Sequence, residues 1–131
     1  MGRSRIHRRP VTVMRELFSD NELAFIESFK IEQMKMFNVS AEHGFHEGPC
    51  NFGERIALIH SELSEALEGF RVGDEFSDHI PNFSPMEEEF ADAIIRIMDT
   101  AEEYKLRLAE AIIAKKHFNM TRPYMHGGKK F

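Results

Sequence analysis

The chain has a single cysteine, Cys50, so no internal disulfide can form, which fits a reducing compartment. It has no tryptophan, against twelve phenylalanines and eight methionines in 131 residues, so its core is expected to be filled by flat and flexible apolar side chains. No run of about 18 apolar residues occurs, so no helical membrane span is expected. The first residues lack the apolar core of a secretory signal, and Ile6 stands where a myristoylation pattern needs Ser or Thr. The expected location is the cytoplasm. Familiar catalytic signatures are missing too. There is no P-loop, no His-Glu-x-x-His, no Glu-x-x-His of the di-iron bundles, and no Gly-x-Ser-x-Gly elbow; Cys50, beside Pro49, forms no nucleophile motif.

Positive charge is scarce in the body of the chain. The formal charge is −5, but Arg3, Arg5, Arg8 and Arg9 fall in the first ten residues with no acid among them. The rest is strongly acidic, which argues against a stable nucleic-acid partner. Residues 1–18 read as a basic N-terminal arm, and residues 19–131 as a single domain.

What is present is helical periodicity, and no strand pattern or internal repeat interrupts it; the expected class is all-α, a four-helix bundle. A first helix should start after Ser19 or Asp20 and fade between Val39 and Gly44. Its apolar stripe is Leu23, Ile26, Lys30, Met34 and Phe37, widened by Phe25 and Phe29, with Gln33 as a polar exception and a candidate base-facing residue. His43 and His46 fall in a Gly- and Pro-bearing loop and read as solvated histidines. A second helix should be capped by Asn51, with Glu54 in the capping-box position, and its apolar face is Phe52, Ile56, Ile59, Leu63, Ala66, Leu67 and Phe70. Glu62, Glu65 and Gly69 lie on the edge of that face, Gly69 leaving room beside the acids. Ser84-Pro85-Met86-Glu87 is the clearest helix start in the chain. The helix it opens is apolar around most of its circumference, with Glu89, Asp92, Arg96 and Asp99 confined to a narrow strip. A turn near Tyr104–Arg107, unmarked by Gly or Pro, precedes a fourth helix from about Leu108 to Phe118. Glu102, Glu103 and Glu110 read as solvated charge.

Two acid pairs organise this pattern. Glu62 and Glu65, and then Glu89 and Asp92, are each three residues apart on a helix and so share a face. Two such helices packed together would gather four carboxylates, which repel one another and resist desolvation unless a cation joins them. An all-oxygen set suits Mg²⁺, with Mn²⁺ as a substitute. Arg96 and Asp99, on the same strip, are candidate partners of the acids, and Arg96 also a candidate substrate ligand. Lys115, Lys116, Arg122, Lys129 and Lys130 supply positive charge near the C-terminus. Acids for a metal and cations for phosphates describe a nucleotide polyphosphate site.

Glu62-Leu63-Ser64-Glu65, followed after 23 residues by Glu89-Phe90-Ala91-Asp92, resembles the ExxE…ExxD signature of the MazG-like all-α nucleoside triphosphate pyrophosphohydrolases. Lys115, Asn119, Arg122-Pro123 and His126-Gly127-Gly128-Lys129 are similar to that family's closing segment. The resemblance spans residues 51–130. It implies cleavage of a (d)NTP substrate between the α and β phosphates, giving a monophosphate and pyrophosphate. It further implies Mg²⁺ held by Glu62, Glu65, Glu89 and Asp92, with Glu62 or Glu65 orienting or deprotonating the water. Phosphates would fall to Lys115, Asn119, Arg122 and Lys129, and the helices would pack in a homodimer or homotetramer. The readings that compete are a catalytically silent helical module binding a nucleotide or a partner, and a purely structural helical assembly protein.

Overall fold

The computed structural model describes residues 16–49 and 51–124. Most of the basic arm and Lys129 therefore lie outside the described residues. Those described are all-helical, with four helices and no strand: α1 (Asp20–Glu42), α2 (Phe52–Val72), α3 (Pro85–Glu103) and α4 (Leu108–Met120). None of them is long and apolar enough to cross a membrane.

Local chemistry accounts for the ends. Ser19 Oγ accepts from Glu22 N–H at 3.3 Å while Glu22 accepts from Ser19 N–H at 3.0 Å, so Ser19, not Asp20, caps α1. Asn51 Oδ1 accepts from Glu54 N–H at 3.3 Å. Ser84 and Glu87 make the full reciprocal box, with Pro85 at the first helical position. The unmarked turn after α3 is a Schellman motif: Leu106 N–H bonds to Ala101 O at 2.8 Å and Lys105 N–H to Glu102 O at 3.1 Å. Lys105 takes the left-handed conformation, φ 54°, that usually falls to glycine. That is why no glycine marks the turn.

The chain divides into two compact units. The first joins the start of α1, to Lys30, with α4 from Ala109. Ile26, Ala109 and Ile113 are its buried core, with Phe18 and Phe29 packed on them. Glu110, expected in solvent, is buried and ion-paired with Lys30. Glu22 also receives Lys116 Nζ at 2.7 Å and His117 Nε2 at 2.6 Å.

The second unit runs from Ile31 to Leu108 and contains the hairpin of α2 and α3. Its buried apolar residues are Ala66, Ala93, Met98 and Ala101, and no large side chain is fully buried. The helices are antiparallel, with late α2 beside early α3: a Cβ built on Gly69 would lie 3.0 Å from Pro85 Cβ. The space that Gly69 leaves is thus taken by the first residue of α3 rather than left open beside the acids. The packed face of α2 also differs from its apolar face. Glu62 and Ala66 are buried, whereas Phe52, Ile56, Leu63, Leu67 and Phe70 are exposed. On α3, Phe90 and Ile94 are likewise more than half exposed. Small residues let two backbones approach closely, and Ala66 and Gly69 supply them on the side of α2 that meets α3.

This close approach yields a test. A valine at Gly69 would press branched carbons onto a rigid proline ring, and overpacking of this kind costs about 1–3 kcal/mol. Gly69→Val should lower the melting temperature measurably by circular dichroism, despite valine's better helix propensity than glycine's.

Candidate metal centre

The α2–α3 contact places Glu62, Glu89 and Asp92 so that one carboxylate oxygen from each lies within 4.8 Å of the others. Glu62 is buried, at 6% exposure, and the other two are half-buried. Glu62 comes from the middle of α2; Glu89 and Asp92 are three apart on α3 and share its inward face. Glu65, the fourth acid of the sequence pattern, is exposed and outside this trio, yet near enough for its charge to act on Glu89. Arg96, one turn beyond Asp92, donates from Nε to Glu62 Oε1.

The electrostatics are those of crowded acids. Burial, the charge of Glu65 and a hydrogen bond to Glu62 push the Glu89 carboxyl up to about 7. Burial, then the charges of Glu62 and Glu88, raise Asp92 as well. Glu89 Oε2 is buried with no hydrogen-bond partner among the described residues. A buried carboxylate oxygen with nothing to accept from is costly, and a cation would satisfy it. One such oxygen beside two further carboxylates fits a hard divalent cation.

The other sequence-predicted residues lie elsewhere. Asp99 does not join the acids. It is buried among different partners: His46 Nε2 at 2.6 Å, Arg55 Nη1 at 3.3 Å and Ser40 Oγ at 3.2 Å. His46 is accordingly not a solvated loop histidine. Its side chain is 10% exposed, its ring lies 4.3 Å from that of Phe37, and its Nδ1 lies 3.1 Å from Glu103 Oε1. Glu103 is in turn 3.0 Å from Arg55 Nη2, so it too is a structural anion rather than a solvated one. This network ties the 43–49 loop to α2 and α3. Gln33 is buried and donates from Nε2 to Glu102 Oε2 at 3.0 Å, which removes Glu102 from the solvated acids. Lys115, Asn119 and Arg122 belong to the first unit, where Lys115 Nζ lies 4.5 Å and the Arg122 guanidinium 6.0 Å from the Phe118 ring centre.

Sequence reasoning also missed a cluster next to the trio. Glu88 accepts from Ser77 Oγ and lies 2.6 Å from His79 Nδ1. The one available signal was position: Glu88 is four residues before Asp92, on the same face of α3.

A pH dependence follows from the raised carboxyl of Glu89. Its folded value, about 7, exceeds the ordinary 4.5, so the folded protein holds a proton that the unfolded chain releases. As far as this group is concerned, metal-free stability should therefore be full at and below about pH 4.5, fall as pH rises towards 7, and level off above. Adding Mn²⁺ or Mg²⁺ at pH 7.5 should restore the lost melting temperature, since the ion binds only the folded form. Both the fall and the rescue should shrink in Glu89→Gln. A melt that ignores divalent cations over a wide concentration range would remove the metal centre.

No family model matches the chain, and no curated protein or solved structure matches it either.

Proposed function

We propose that this protein is a Mg²⁺-dependent nucleotide pyrophosphohydrolase, converting a (d)NTP to its monophosphate and pyrophosphate. The observation that carries this reading is the trio of Glu62, Glu89 and Asp92, with one carboxylate oxygen of each within 4.8 Å of the others and Glu89 Oε2 buried without a hydrogen-bond partner among the described residues. The spacing of those acids, Glu62-x-x-Glu65 and Glu89-x-x-Asp92, supplies the MazG-like resemblance and hence the bond that is cut.

In this reading Glu62, Glu89 and Asp92 hold the cation. The cation, when bound, supplies positive charge to the polyphosphate and activates water for attack on phosphorus. Glu65, exposed at the edge of the trio, accepts the proton of the attacking water. Arg96 keeps one oxygen of Glu62 in place and so fixes the direction in which that carboxylate faces. A second copy of the chain covers the apolar faces left open on α2 and α3, since Leu67 and Phe70 are 50% and 66% exposed.

Incubation with a panel of nucleoside triphosphates and Mg²⁺ should yield monophosphate and pyrophosphate. Glu62→Gln and Glu89→Gln should each lower kcat by about 100-fold or more, as losses of charge-stabilising groups do. Diphosphate and phosphate as products would overturn the bond assignment. Turnover of none, with metal bound, would favour a silent binding module. Sedimentation should give a dimer or tetramer, and Leu67→Glu should shift it towards monomer; a wild-type monomer at high concentration would remove the oligomer.

A further inference from the structure

The loop between α2 and α3 is held by an unusually complete set of bonds for a segment at the surface. Ser77 is 3% exposed. Its N–H donates to Phe83 O at 2.8 Å, and its hydroxyl oxygen accepts from His79 N–H and Ile80 N–H, both at 3.1 Å. The same hydroxyl donates to Glu88. Phe83 N–H closes the loop on Ile80 O at 2.9 Å. These bonds fix the backbone at His79 without using its side chain.

The His79 side chain is nonetheless positioned. Nδ1 lies 2.6 Å from Glu88 Oε1, while the ring remains 84% exposed. An ion pair so open to water contributes little to stability. What the pair does is orient the ring: Nδ1–H donates to Glu88, and that carboxylate raises the imidazole above its ordinary 6.5, favouring the charged form in which Nε2 also carries a proton. Glu88 is one helical turn before Asp92, and helical side chains lean towards the N-terminus. His79 is therefore held on the same face of α3 as Asp92. The two groups are close enough for the charge of each to act on the other. A charged ring held on Glu88, on the face of α3 that carries Asp92, is suited to an anion that arrives with a cation.

We infer that His79 is a phosphate-binding residue, its Nε2–H donating to a non-bridging oxygen of a polyphosphate whose metal is held by Glu62, Glu89 and Asp92. This rests on the reading of that trio as a metal centre. Glu88 is then a positioning residue: it touches no substrate and acts by holding the ring.

Calorimetric titration with inorganic tripolyphosphate in saturating Mg²⁺ separates the two claims, with Mn²⁺ alone titrated in parallel. His79→Ala should weaken tripolyphosphate binding about tenfold, the loss of one charge-assisted hydrogen bond at an exposed position. Mn²⁺ affinity should not fall, and the melting temperature should stay as in wild type. His79→Lys should recover most of the lost affinity and His79→Phe none. Equal tripolyphosphate binding by wild type and His79→Ala would overturn the role of His79 while leaving the metal centre standing. A parallel fall in Mn²⁺ affinity would also overturn it, because the residue would then act through the acids. Binding of neither Mn²⁺ nor Mg²⁺–tripolyphosphate by wild type would remove the metal centre and this inference together.

Discussion

Packing α2 against α3 through Gly69, Ala66 and Ala93 brings two carboxylate-bearing stripes out of water. Three acids cannot stay charged and unpaired there without cost. Each feature of the hairpin answers that cost in part. Arg96 engages one oxygen of Glu62, and Glu89 holds its proton to about pH 7. One oxygen of Glu89 remains buried and unanswered. A structure selected only for stability would have apolar side chains at these positions, since replacing a buried charged cluster by well-packed hydrophobic residues is often neutral or stabilising.

The same packing choice explains the outside of the hairpin. A helix has one circumference, and α2 meets α3 with the side that carries Glu62, Ala66 and Gly69. Phe52, Leu63, Leu67 and Phe70 are left facing water, an arrangement that calls for a covering surface. The gathering of the acids and the exposure of these apolar side chains thus have one cause. Further along the hairpin, Asp99, Arg55, His46 and Glu103 form a second buried polar group, in which both carboxylates have cationic or imidazole partners within about 3 Å. The contrast between the two groups is chemical. The satisfied one secures a loop, and the unsatisfied one is the candidate site.

The helices were legible before any coordinates. Ser19, Asn51 and Ser84 announced three starts by side-chain chemistry that acts within four residues, and all three cap as their sequence suggests. The pairing of Glu62 with Glu89 and Asp92 was legible in kind, because three-residue spacing puts acids on one face whatever the helix packs against. The face of α2 chosen for packing was not legible. Hydrophobicity pointed to Leu63, Leu67 and Phe70, but close approach is decided by the smallest side chains, which a hydrophobic stripe does not reveal. Asp99 was misplaced for a related reason. Its sequence neighbours set it on the acid strip, but one turn beyond Arg96 it meets Arg55 and His46, which lie 44 and 53 residues away along the chain.

By itself, the sequence determined what depends on neighbours within a turn or two: the helices, their caps, and the carboxylate pairs that one helix face can carry. Only the tertiary structure decided which acids meet and which find a cation of their own. It also decided that His79, ordinary in the sequence, is held by Glu88 beside Asp92. These outcomes turn on distances between segments far apart in the chain, set by how closely two helices can approach, and no local spacing encodes that.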